Sequence, residues 1–214
     1  MKKINLSSEY FEIIKSKWFI ALLSFILGAV VILGIRFITY KPDVVHYHAN
    51  FAVYVNGTRE KFEGPQYYTE VNVCTDDQAM TPLRRAHLHD EVNDTIHIHD
   101  HAVTWGHFFA NLGWNLGATY IVDPSGKMYP TIGANKLHII LNGTDITNLG
   151  GVANTVISSE DRLLLSYGDI DETTLKSEFE AVASSARKFN LEKDPKSCGG
   201  DEDPTIADRL KHIL

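Results

Sequence analysis

One stretch restricts this chain more than any other: Trp18 to Tyr40, WFIALLSFILGAVVILGIRFITY, whose single charge is Arg36. Roughly 20 apolar residues at about 1.5 Å each span the ~30 Å hydrocarbon core of a bilayer. In that medium a spanning segment must satisfy its own peptide groups, which makes it a helix. A buried core helix and a cleaved signal peptide are the rival readings. Against the second, the run is longer than an h-region of about 7–15 residues, and no small-x-small cleavage signal closes it. The stretch therefore reads as an uncleaved signal anchor. Lys2, Lys3, Lys15 and Lys17 precede it, while Arg36 and Lys41 sit at or beyond its far end. That excess predicts a cytoplasmic N-terminus, with residues 43–214 outside the cell membrane. Arg36 can snorkel to the outer interface. Residues 1–42 are thus expected to be a cytoplasmic stub and a single-pass transmembrane anchor.

The chain holds 20 Lys plus Arg and 27 Asp plus Glu; six of the cations and two of the acids precede residue 43, leaving 14 against 25 and a net −11 beyond it. Such acidity argues against nucleic acid and against docking on anionic lipid. It suits attraction of cations, and it equally suits a plain soluble surface. Both cysteines, Cys74 and Cys198, fall in the outer part, where an oxidising compartment favours a disulfide between them. Closing so long a loop contributes on the order of 4–5 kcal/mol in a chain-entropy treatment. Soft metal ligation by Cys74 is the weaker alternative, because neither cysteine has CxxC spacing.

Six of the ten histidines lie between Ala86 and Asn111: His87, His89, His97, His99, His101 and His107. A further pair, His46 and His48, lies upstream. Side chains two apart on a strand share a face, so His-x-His presents two imidazoles together. Paired imidazoles chelate borderline ions such as zinc, copper or nickel. Asp90 and Asp100 follow two of these pairs closely and are candidates to orient the rings from behind.

The pattern around them is mixed strand and helix. VVHYHANFAVYV (44–55) alternates, with Val45, Tyr47, Ala49, Phe51, Val53 and Val55 on one face and His46, His48, Asn50 and Tyr54 on the other, which predicts a half-buried strand. Asn56-Gly57 predicts a hairpin back through Thr58 to Phe62. Asn93-Asp94 makes a turn between two neighbouring antiparallel strands at 86–90 and 95–100, which would bring four imidazoles into one patch. Thr104 caps a short helix through Leu112, with His107 on it, as readily a plain helix histidine as a ligand. A 67–73 strand, a turn at Asp123 to Gly126, a strand at 136–141 ending in a second Asn-Gly, and a final strand ending at Gly168 follow the same logic. The tail reads as one helix over 174–189 and a last helix begun by Asp203 and Pro204. The expected units are a His-rich α+β domain over 43–170 and a helical extension over 171–214. Sequons at Asn56, Asn93 and Asn142 matter only in a glycosylating host.

This order of hairpin, short helix, Asn-Gly hairpin and terminal EDRLLLSYG resembles the β-grasp, or ubiquitin-like, arrangement over about residues 44–168. HYHANFAVYVNG, AHLHD, IHIHDHAVTWGHFF and LLLSYG together resemble an uncharacterised family of membrane-anchored, His-rich domains of bacteria and archaea. That resemblance implies a mixed-sheet, β-grasp-like extracytoplasmic domain and no particular reaction. The strand His-x-His plus a third histidine also resembles the zinc site of α-type carbonic anhydrases. The cupin pattern fits less well, since Glu91 follows His89 by two residues and the glycine frame is missing.

Three functions are compatible with these residues. The first is an envelope protein that captures, buffers or transfers copper or zinc, with an envelope partner or a second copy of itself as a candidate partner. The second is a His-ligated metal-dependent enzyme, a hydrolase or oxidase. The third is a non-metal interaction domain in which the histidines act as a protonation switch near pH 6. The fold alone cannot choose among them.

Overall fold

The computed structural model of the 214-residue chain describes residues 16–41, 45–68, 81–88, 92–146, 148–192 and 204–213. His89, Asp90, Cys74, Cys198, the proposed N-cap Asp203 and the expected strand beyond residue 68 lie outside the described residues. Two compact units form, residues 1–43 with 203–214, and residues 44–202.

In the first unit the apolar run forms helix α1, Lys17–Thr39, whose 23 residues rise about 35 Å. It is long and apolar enough to cross a membrane, and none of its side chains is buried.

The second unit is built on β1, Tyr47–Val55. Its odd-numbered residues Ala49, Phe51, Val53 and Val55 enter the main core, as the alternation predicts. At Asn56-Gly57 the φ angles of 51° and 75° give the two left-handed residues that a tight hairpin requires. The returning strand β2, Thr58–Arg59, is shorter than expected. A short helix α2, Pro82–Arg85, capped by Thr81, leads into β3, Ala86–His87. Then come β4, Thr95–Ile98, and α3, Trp105–Asn111, whose Trp105, Phe108 and Phe109 are buried. Strands β5, Asn115–Leu116, β6, Tyr120–Val122, and β7, Met128–Pro130, make a small separate sheet around the expected Asp123–Gly126 turn. The chain continues through β8, Lys136–Leu141, β9, Thr144–Asp145, α4, Leu149–Ala153, and β10, Arg162–Gly168.

The main sheet runs β3-β4-β1-β10-β8-β9, with β2 also on β1. Its central pair, β1 and β10, is parallel, and the other pairs are antiparallel. On one side lies the core around α3, where Phe51 meets the Phe108 ring edge to face at 4.8 Å. The opposite face is covered as well: helices α5, Glu172–Glu180, and α6, Ala186–Leu191, fold over it, and Ala52, Leu164, Leu175 and Val182 form a second core there. β1 is therefore not the half-buried strand that its alternation suggests, because its histidine face also has a roof.

The tail helix expected over 174–189 is two helices. Arg162 of β10 reaches across and donates from Nε to the carbonyl of Ala183 at 3.0 Å, and from Nη2 to those of Phe179 and Val182. A guanidinium satisfying these carbonyls stops the first helix at its C-terminus and lets α6 start in a new direction.

Candidate metal centre

Three adjacent strands place their histidines in rows. His48 of β1 pairs across to His97 of β4, and His97 pairs across to His87 of β3. One step along, His46 precedes β1 and His99 follows β4, where the His99 N–H still bonds the Arg85 carbonyl. Period-two alternation puts all five on the face away from the α3 core. His48, His97 and His87 are 0%, 1% and 2% exposed, whereas His46 and His99 are half-buried at the rim.

The rings are close. His48 and His97 have centroids 4.2 Å apart and stand nearly perpendicular, and His46 lies 4.8 Å from His48. His46 also stacks on His99 at 4.8 Å, and His99 on His87 at 5.1 Å. His46, His48 and His97 each offer a ring nitrogen, all within 4.8 Å of one another.

Helix α6 supplies the roof. The Phe189 ring stands 5.7 Å from that of His48 and 6.2 Å from that of His97. Asn190 Oδ1 accepts from the His48 backbone N–H at 2.9 Å and from its Nδ1 at 2.8 Å. An amide oxygen can only accept, so Nδ1 of His48 carries the proton and Nε2 carries the lone pair. That lone pair faces His97 Nδ1 at 2.9 Å, which makes Nδ1 of His97 the donor when no ion is bound. Two imidazoles on a tetrahedral ion, each about 2.0–2.1 Å from it, hold their nitrogens about 3.3 Å apart. The His48–His97 pair then needs to open by only about 0.4 Å.

What fixes α6 is a buried polar knot on the same β1 face. Asn50 Nδ2 donates to Thr95 Oγ1 at 2.9 Å and to Ser185 Oγ at 3.0 Å, and its Oδ1 accepts from the Ala186 N–H at 2.9 Å. Being buried and fully used, these groups specify where α6 begins and hence where Phe189 and Asn190 land.

The remaining candidates fall elsewhere. Asp100 accepts from Arg85 Nε at 2.7 Å and from the His101 N–H, so its carboxylate braces the turn after β4. His101 is exposed in that turn. His107 is exposed on α3, and its Nδ1 accepts from the Thr104 N–H while Thr104 Oγ1 accepts from the His107 N–H. That reciprocal cap explains a histidine at this position without a metal. Sequence reasoning missed Asn50, Ser185, Phe189 and Asn190. Two had left a signal: Asn50 as the next residue after His46 and His48 on one strand face, and Phe189 on the apolar side of the expected tail helix.

No protein-family model matches the chain, and neither a curated protein nor a solved structure does.

Proposed function

We propose that this chain is a membrane-anchored metal-binding protein that captures, buffers or hands on copper or zinc on the outer side of a cell membrane. The observation that carries the reading is the set of three imidazoles, His46, His48 and His97, with nitrogens inside 4.8 Å beneath an aromatic roof. Neutral nitrogen donors suit zinc, copper and nickel and disfavour calcium or magnesium, which take oxygen. The lysine excess before and at the start of α1 supports an outer location for residues 44–202. The parallel pairing of the unit's first and last long strands at the sheet centre supports the β-grasp-like reading.

The test is metal content by mass spectrometry on tag-free full-length protein in detergent, beside a His48→Ala/His97→Ala variant. Near-stoichiometric copper or zinc, lost in the variant, is the expected result. A wild-type protein that neither carries nor takes up either metal at neutral pH refutes the proposal. A three-histidine site leaves a fourth position for water, and this favours a metal-dependent hydrolase or oxidase as the second reading. X-ray absorption of the zinc form separates the two: four protein donors point to storage, three plus a light oxygen donor to catalysis.

A further inference from the structure

We propose that the histidine face holds two metal ions, the first on His46, His48 and His97 and the second on His87 and His99. This rests on the metal-binding reading above and extends it. A single zinc- or copper-type ion takes at most four protein donors, and the described face offers five imidazoles; a second ion on the remaining pair would complete its coordination with water. His87 and His99 lie outside the nitrogen triad, with rings nearly parallel and 5.1 Å apart; His99 also stacks on His46 at 4.8 Å, so the two positions adjoin. His87 is also oriented as a ligand would be. Its Nδ1 lies 3.0 Å from the Leu83 carbonyl, which can only accept, so the proton sits on Nδ1 and Nε2 holds the lone pair.

The scaffold beneath this second position is braced independently of the first. Leu83 belongs to α2, held at its start by the Thr81 cap, and the next residues carry the Arg85–Asp100 ion pair that ties α2 to the turn after His99. On the other side, Asn190 and the Asn50 knot hold the first position. His97 lies 6.1 Å from His87 and 4.2 Å from His48, between the two. Two separately braced halves explain the imidazole excess, which one ion would not require. Neutral donors leave both ionic charges to be balanced by solvent anions and by the acidic surface, so the second ion is expected to bind more weakly than the first.

Tag-free full-length protein in detergent is titrated with Cu(II) against excess free glycine, which strips weak surface sites. Bound copper is counted by mass spectrometry and followed by electron paramagnetic resonance. Wild type is expected to bind two ions with a spin-coupled signal, and His87→Ala/His99→Ala one ion with an isolated signal. His99→Gln, a milder change at the half-buried rim, serves where the double variant fails to fold and is likewise expected to lose one ion. A wild type that saturates at one ion overturns the second site and leaves the proposed function standing. A count of two that survives both substitutions also overturns it. A count of zero overturns the second site, and where it persists without glycine and with Zn(II) it overturns the proposed function itself.

A different observation concerns the C-terminal helix α7, Ile206–Ile213. It is locked to the end of α1 by two arginines: Arg209 Nη1 donates to the carbonyls of Phe37 and Ile38 at 2.8 and 3.1 Å, and Arg36 Nη2 donates to that of His212 at 2.9 Å. Tyr40 stacks on His212 at 4.4 Å. The carbonyls of residues 37 and 38 mark the end of the apolar span, so α7 is held at that depth. There Ile206 and Leu210, 71% and 51% exposed, form one apolar stripe, with Arg209 and Lys211 off it. We infer that α7 lies in the lipid–water interface with this stripe in the acyl boundary. Leu210→Trp in full-length protein reconstituted into phosphatidylcholine vesicles tests it, with wild-type emission subtracted. Quenching of the added emission by brominated acyl chains is expected; added emission that is unquenched and at the wavelength of water-exposed indole overturns the inference.

Discussion

Asn190→Leu is the change that most directly tests how the roof serves the metal centre. Leucine is close in size but accepts no hydrogen bond, so the His48 N–H and Nδ1–H, now 2.9 and 2.8 Å from Asn190 Oδ1, both lose their acceptor. His48 is fully buried, and water does not readily take over. Two consequences follow. An unpartnered buried donor costs about 1–3 kcal/mol of fold stability. An imidazole freed of its orienting acceptor can also turn or change tautomer, and loss of such a partner typically weakens metal binding by about 10–100-fold. At 1.4 kcal/mol per tenfold, that is about 1.4–2.8 kcal/mol of binding free energy. Competition of the full-length protein against a fluorescent zinc chelator at pH 7.5 reads the effect. Asn190→Asp keeps both acceptor contacts and adds negative charge, so its zinc affinity is expected to stay within a few-fold of wild type or to rise. An Asn190→Leu variant that melts with lower stability yet binds zinc within twofold of wild type would refute the orienting role.

Gly106→Ala would set a Cβ 2.6 Å from the Ala153 carbonyl oxygen, forcing α3 and α4 apart, and is expected to cost about 1–3 kcal/mol by chemical denaturation. Asp123 is partly desolvated, which alone would raise its carboxyl; hydrogen bonds from Ser125, Tyr129 and the Lys127 N–H outweigh this and hold it below the usual aspartate range. A lowered folded-state pKa stabilises fully above the unfolded aspartate pKa of about 4 and is lost as pH falls through the folded value. Asp123→Asn is therefore expected to destabilise by about 1 kcal/mol or less at pH 7, given its exposure to solvent, with the gap to wild type closing as pH falls through the lowered folded value in parallel melts. Its partner Tyr129, pushed up to about 12 mainly by burial and then by Asp123, is expected to ionise nearer the ordinary tyrosine value in that variant, read by absorbance at alkaline pH. Arg162→Met removes the guanidinium from the carbonyls of Phe179, Val182 and Ala183 and is expected to lower metal affinity through a misplaced α6 as well as stability, whereas His107→Ala is expected to leave metal binding unchanged.

The residues spoke most clearly where one local rule sufficed. A 23-residue apolar run has one stable conformation in hydrocarbon, so α1 needed no tertiary information. Period-two alternation placed His48 of β1 and His46 just before it on one side, and Asn-Gly at 56 and 142, each with two positive φ angles, turned the hairpins. Neighbouring antiparallel strands carrying His87 and His97 followed from the Asn93-Asp94 turn and formed as β3 and β4. Which histidines meet, and what covers them, was decided at long range. The β1–β4 register brings His48 to a residue 49 positions away, and Asn190 reaches His48 from 142 positions away. No local period encodes such distances; they depend on backbone pairing and on the Asn50 and Arg162 bonds that aim α6. His107 shows the converse, since its spacing from Thr104 serves a helix cap and not the patch. The sequence by itself determined the strand faces, the turns and the apolar helix, because each is a short-range compromise between sterics and solvent. Only the tertiary structure decided that five imidazoles share one face with a roof over His48 and His97, because bringing remote segments together takes the burial of both sheet faces at once.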